Sequence, residues 1–147
     1  MSEHRATVRW QRTSPDFTYE SYNRDHDWIL AGVQVPASAA PAYRGTPERV
    51  DPEEAFVASL SSCHMLTFLA LACKKRFTVD SYEDDAVGYL EKNANGKLAV
   101  TRAVLRPRIR FAGTGPTPEE LAQLHDRAHH ECFIANSVLT EVTVEPQ

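Results

Sequence analysis

The chain has 147 residues, 42 % of them hydrophobic, and a formal net charge of −4 at pH 7. That length is enough for one domain, residues 1–147, with a proper core. The charges are interspersed and form no basic block, which argues against nucleic acid or an anionic membrane as partner.

The N-terminus, MSEHRATVRW, is polar and then strand-like, with no charged leader ahead of an apolar stretch, so no secretion signal is expected. Three cysteines in such a chain point to a reducing cytoplasm. There they are more often catalytic, metal-binding or core residues than structural disulfides.

Ala6–Gln11 alternates in strand formers, Ser14-Pro15-Asp16 signals a turn, and Phe17–Tyr22 alternates again. These two runs predict a hairpin. A further strand is expected from His26 or Trp28 to Val35. Pro36–Val50, with three prolines and many small residues, reads as an extended loop.

Asp51–Lys75 then reads as one long helix. Asp51 is placed to cap it, Pro52 stands where its missing N–H costs nothing, and Glu54 completes a capping box. Lys74 and Lys75 suit the C-terminal end of the helix dipole. The residues between are apolar nearly all round, which predicts a helix buried on most sides. Ser59–His64 interrupts the apolar run, so a core helix is preferred over a membrane span, which needs about 20 mostly apolar residues.

Arg76–Ser81 is short and extended. Asp84–Glu91 and Lys97–Phe111 form the arms of a hairpin around Asn93-Ala94-Asn95-Gly96. Pro107 places the second arm at an edge or a bulge. Thr117-Pro118-Glu119-Glu120 repeats the capping signature and opens a second helix running to about Glu131. Cys132–Ser137 suggests a turn or short helix, and Val138–Val144 alternates as a last strand. The fold class is α+β, with antiparallel strands around a long buried helix. One sheet cannot cover that helix on all sides, so a homodimer is expected.

Cys63 lies in the polar middle of the long helix. An ordinary thiol is only about 3 % thiolate at pH 7, so a reactive one needs a neighbouring cation or donor. Arg24, Arg44 and His64 are the groups the sequence offers. A plain core cysteine is the bland reading on base rates. Cys132, at the end of the second helix beside His129-His130-Glu131, makes a redox pair conceivable. Cys73 is expected to pack in the core.

Asp51-Pro52-Glu53-Glu54, followed by small residues and then Ser61-Ser62-Cys63-His64, together with a second cysteine after Ala128-His129-His130-Glu131, resembles the signature of the OsmC/Ohr family. Its members, named for osmotic induction and organic hydroperoxide resistance, are thiol-dependent peroxidases. The resemblance spans essentially the whole chain.

It implies an OsmC-like fold in an intertwined homodimer, with sites at the interface and no cofactor or metal. It also implies that Cys63 is the thiolate that attacks an organic hydroperoxide and becomes a sulfenic acid. Cys132 would then resolve this as a Cys63–Cys132 disulfide, reduced again by a small or lipoyl-type thiol. A family Arg–Glu pair activates the first cysteine. Glu53 matches the glutamate, and Arg24 and Arg44 are ranked above Arg12 for the arginine.

If Glu53 and Cys63 share one unbroken helix, they are about 15 Å apart along its axis. Two such helices crossing at a twofold would bring Glu53 of one chain to Cys63 of the other. Departing from the family, Phe133 follows Cys132 where proline is usual, and histidines flank both cysteines. Two other classes stay open. One is a metal site using Cys63, His64, Cys132 and His129 or His130, although the spacing is not a standard zinc pattern. The other is a small apolar ligand held near Phe56, Met65 and Phe68.

Overall fold

The structure, a computed structural model, describes residues Met1–Gln147. The chain divides into two compact units, Met1–Ala55 and Phe56–Gln147. Both α-helices and all eight strands follow the α+β order expected from the sequence.

The first unit holds a three-stranded antiparallel sheet, β1 (Thr7–Arg9), β2 (His26–Leu30) and β3 (Val33–Ala37), in that order. Two expectations are corrected here. Phe17–Tyr22 is not a strand, and β1 pairs with β2 instead, Val8 opposite Trp28. Its alternation serves an aromatic cluster: Phe17 lies 6.0 Å from Trp10 and 5.2 Å from Tyr22, ring centroid to centroid.

The run from His26 to Val35 is also not one strand but a tight hairpin. Leu30 pairs with Val33 across Ala31 (φ 50) and Gly32 (φ 79). Positive φ at both central residues is the two-residue turn whose twist matches the flanking strands. The first unit's loop is held by Asp25, which accepts hydrogen bonds from the hydroxyls of Ser38 (2.9 Å) and Thr46 (2.6 Å). Arg49 completes the network at 3.2 Å from Asp25.

Helix α1 runs from Pro52 to Lys74. The expected capping box is present: Asp51 Oδ1 accepts from the Glu54 N–H (2.8 Å), and Glu54 Oε2 accepts from the Asp51 N–H (3.1 Å). The helix ends without a glycine. Arg76 takes the left-handed conformation (φ 64), while the Phe77 N–H reaches the Ala72 carbonyl and the Arg76 N–H reaches that of Cys73. This pair of bonds is a Schellman closure.

The expectation that α1 is buried on most sides does not hold within one chain. Only Leu60, His64, Phe68 and Ala72 are buried, a stripe four residues apart that forms a single face. Leu66 is 61 % exposed. Cys73 is exposed too, not packed in the core as expected, because it follows Ala72 off that stripe.

In the second unit α1 packs over two small sheets and helix α2 (Pro118–Glu131). Strand β4 (Thr78–Asp84) pairs antiparallel with β7 (Pro107–Ala112). Strands β5 (Val87–Lys92) and β6 (Leu98–Leu105) form the expected hairpin, and β8 (Glu141–Val144) adds to β6 in parallel.

The long arm predicted from Lys97 to Phe111 is therefore two strands in two sheets, broken at Arg106. Pro107, with no N–H to give a ladder, opens the second of them. The Arg106 N–H is instead taken by Asp84 Oδ1 at 2.6 Å. Asp84 also accepts from the Ser61 hydroxyl of α1 (2.5 Å), which ties the helix to the strand break. The core is Phe68, Ala72, Leu124 and Ala128, ringed by Phe77, Tyr82, Ile109 and Phe111 among others. By length and composition α1 could cross a membrane; here its buried stripe is one wall of this core.

Candidate functional site

The two cysteines singled out in the sequence meet in the second unit. Cys63 sits on α1, and Cys132 is the residue that caps the C-terminus of α2. Burial pushes the Cys132 thiol up to about 11, and a hydrogen bond with the Cys63 side chain adds to the rise. Both are free thiols.

Their surroundings differ. Cys132 is 1 % exposed, and its sulfur accepts the Ala135 N–H at 3.4 Å. Cys63 is only half-buried. At neutral pH Cys132 is therefore a protonated thiol, while Cys63 is the sulfur that solvent can approach. Phe133, the residue after Cys132, turns outward at 82 % exposure. The Asn136 side chain instead closes this turn, donating to the Cys132 carbonyl at 3.0 Å.

Next to the thiols is a pair of buried imidazoles. His64 Nε2 and His125 Nδ1 are 3.0 Å apart and hydrogen-bonded, with the rings nearly parallel at 8°. His64 is 1 % exposed and His125 3 %. Phe68 stacks on His125 at 4.6 Å.

Burial drives His64 down to about 4, and the neighbouring His125 and His129 push the same way. Burial also takes His125 to about 4, against a weaker opposite pull from Asp126 and Asp84. Both rings are neutral at pH 7. His64 Nδ1, His125 Nε2, His129 Nδ1 and the Tyr82 hydroxyl are buried without a hydrogen-bond partner. Burial, with Asp84 beside it, raises the Tyr82 phenol well above its ordinary range.

The other predicted residues lie in the first unit. The Arg24 guanidinium sits 3.6 Å from the Tyr22 ring centroid and 5.0 Å from that of Tyr19, donating to both residues' carbonyls. Arg44 is exposed in the left-handed conformation, 5.7 Å from the Tyr19 ring. The two arginines thus flank one tyrosine. Neither forms an ion pair, and neither does Glu53, which is half-buried in the first turn of α1.

Glu53 and Cys63 do share an unbroken helix, so the axial rise separates them by about 15 Å. Arg12 is engaged with the backbone carbonyls of Ser14 and Pro15. Arg24 also helps line a cleft of about 460 Å³ with Trp10, Phe17, Tyr22 and His26. No three His, Cys, Asp or Glu side chains are arranged to hold a metal ion.

Sequence reasoning missed His125. A signal was there: His125, His129 and Cys132 follow one another at spacings of four and three, which puts them on one face of α2. Arg49 was also overlooked. It pairs with Asp25 at 3.2 Å and Asp27 at 3.9 Å.

An arrangement of two thiols on different helices, one buried and protonated and one accessible, suits two-electron thiol–disulfide chemistry. Residues 45–147 match the family model for OsmC-like protein. An OsmC-like protein of unknown function from Vibrio cholerae O1 biovar eltor is 51 % identical, over 100 % of both chains, with a TM-score of 0.95.

Two more distant solved structures share the fold. The organic hydroperoxide resistance protein of Elizabethkingia anophelis is 18 % identical with a TM-score of 0.72, covering 100 % of this chain and 98 % of its own. The organic hydroperoxide resistance protein OhrB of Bacillus subtilis is 17 % identical with a TM-score of 0.68, covering 99 % and 98 %. No curated protein matches the sequence. With the family model spanning well over half of its length and a relative this similar along its whole length, the chain belongs to the OsmC-like family.

Proposed function

We propose that this protein is a cysteine-based peroxidase that reduces organic hydroperoxides, working as a cytoplasmic homodimer without cofactor or metal. The observation that carries the reading is the meeting of Cys63 and Cys132 in unlike settings, one half-buried and one buried and protonated.

The Cys63 thiolate attacks the terminal oxygen of the peroxide, and the O–O bond breaks. The released alkoxide takes a proton to become the alcohol, and Cys63 is left as a sulfenic acid. The Cys132 sulfur then attacks the Cys63 sulfur. Hydroxide leaves with the Cys132 proton as water, and a disulfide remains. Two equivalents of thiol, or one dithiol of the lipoyl type, return the pair to its reduced form.

The pKa of about 11 keeps Cys132 a thiol at neutral pH, so the more accessible Cys63 is the sulfur that meets the peroxide first. Glu53 with Arg24 or Arg44 is proposed to orient and activate Cys63. Glu53 is one helical run of about 15 Å from Cys63 in its own chain. It would therefore act on the Cys63 of a second copy, with the two α1 helices crossing at a twofold. The exposed stripe of Ala58, Ser62, Leu66 and Ala70 on α1 supports such a partner.

The test is intact mass and free-thiol count before and after one equivalent of cumene hydroperoxide, on wild type, Cys63→Ser and Cys132→Ser. The expected result is loss of two thiols in wild type, a trapped sulfenic acid in Cys132→Ser and no reaction in Cys63→Ser. Retention of all three thiols in wild type would remove the chemistry from the proposal.

A further inference from the structure

The His64–His125 pair is buried, hydrogen-bonded and unused by the peroxide chemistry above. Beside the Cys63–Cys132 contact, it is the side-chain hydrogen bond that joins α1 to α2, the two helices that bring the thiols together. His64 directly follows Cys63. His125 precedes Cys132 by seven residues, two helical turns, so the two lie on one face of α2.

We propose that the His64–His125 hydrogen bond sets the rotation and height of α2 against α1, and so positions the Cys132 thiol for bond formation with Cys63. This makes His64 and His125 positioning residues. The inference rests on the two-thiol reading but not on the identity of the oxidant.

Three observations support it. First, the contact is poor as a source of stability. Each ring keeps one buried nitrogen without a partner, and an apolar pair of similar shape would leave none. What the N–H···N bond supplies is direction. One ring must donate and the other accept along a line 3.0 Å long, which packing of apolar groups does not specify.

Second, the neighbouring packing of Phe68, Leu71 and Ala72 against Leu121, Leu124 and Ala128 is apolar and carries no directional bond between the helices. Third, a disulfide tolerates little error: the sulfurs must come to about 2.05 Å with the two Cα atoms usually within about 7 Å. A small rotation of α2 would carry Cys132, at its end, out of that range. Phe68 stacked on His125 at 4.6 Å holds the imidazole plane for the bond.

The experiment equilibrates the protein in glutathione redox buffers and reads the Cys63–Cys132 disulfide by mass. A Cys73→Ser background removes the exposed third thiol. The reaction balances without peroxide: two protein thiols and one oxidised glutathione give one protein disulfide and two reduced glutathiones.

His125→Phe keeps the stacking and deletes the bond. His125→Gln keeps a side chain able to donate to or accept from His64. The expected result is that His125→Phe lowers the disulfide equilibrium constant about tenfold, or about 30 mV in potential, while His125→Gln stays within about twofold of the parent. If His125→Phe does not fold, His64→Phe makes the same comparison from α1.

The inference is overturned if the Phe variant stays within twofold of the parent, if the Gln variant falls as far as the Phe variant, or if the parent forms no Cys63–Cys132 disulfide at all. A parent that forms the disulfide with glutathione but ignores cumene hydroperoxide would sink the peroxidase proposal and leave this one standing.

Discussion

Acid should destabilise this protein well before its carboxylates titrate, and the source should be the His64–His125 pair. In the unfolded chain each ring binds a proton near pH 6.5. In the fold each is held at about 4, chiefly by burial. Between these values the unfolded state carries more protons, so stability falls as the pH falls.

For a ring at about 4 the loss relative to neutral pH is about 2 kcal/mol at pH 5 and about 3 kcal/mol at pH 4. That is a large part of the 5–15 kcal/mol typical of a folded domain. Above pH 6.5 the effect is absent. Urea unfolding at pH 7, 6, 5 and 4, on wild type and His125→Phe, measures it. The variant should lose about one ring's share less than wild type between pH 7 and 5.

Asp25 falls out of the comparison because it is the same in both proteins. Its carboxylate is held below the ordinary range by the Thr46 hydroxyl, with Ser38 and Arg49 assisting against burial. Parallel pH profiles for the two proteins would refute the reasoning, since they would mean that His125 is protonated alike in folded and unfolded states.

Asp51→Ala removes the acceptor for the Glu54 N–H at the start of α1 and should cost about 1 kcal/mol in urea unfolding. Phe68→Ala empties the centre of the second unit's core, where Phe68 is fully buried, and should cost about 3–5 kcal/mol. Gly88→Ala on β5 would place a Cβ 2.4 Å from Val57 Cγ2 and 3.2 Å from Val100 Cγ1. It should cost about 1–3 kcal/mol in thermal or urea unfolding as those side chains give way, whereas Gly96→Ala, with open space around it, should show only its backbone strain (φ 72).

Much of the site could be read from the chain because its signals are local. The capping boxes at Asp51 and Thr117 depend on residues three apart, and both form as expected. The hairpin at Asn93–Gly96 likewise depends on its own loop, where the Asn93 side chain accepts from the N–H groups of Asn95 and Lys97 at 3.0 Å. Cys63 and Cys132 stood out by their positions on two helices and by the family signature around them.

The failures share a different cause. Phe17–Tyr22 alternates as a strand would, but its rings find partners in Trp10 and in each other, not in a sheet. The single strand expected across His26–Val35 folds back at Ala31-Gly32, because a non-glycine residue at φ 50 is tolerated where the β2–β3 ladder fixes it.

The order of residues by itself determined that this chain makes a long helix bearing a cysteine, a second capped helix ending at another, and strands enough for an α+β fold. Those outcomes follow from propensity, capping and periodicity, whose energies act over a few residues. Tertiary structure alone decided that the long arm splits at Arg106 between two sheets, that only one stripe of α1 is buried within a chain, and that His64 finds His125 sixty-one residues away. Such contacts join residues distant in sequence, and their free energy appears only when the helices and sheets have packed.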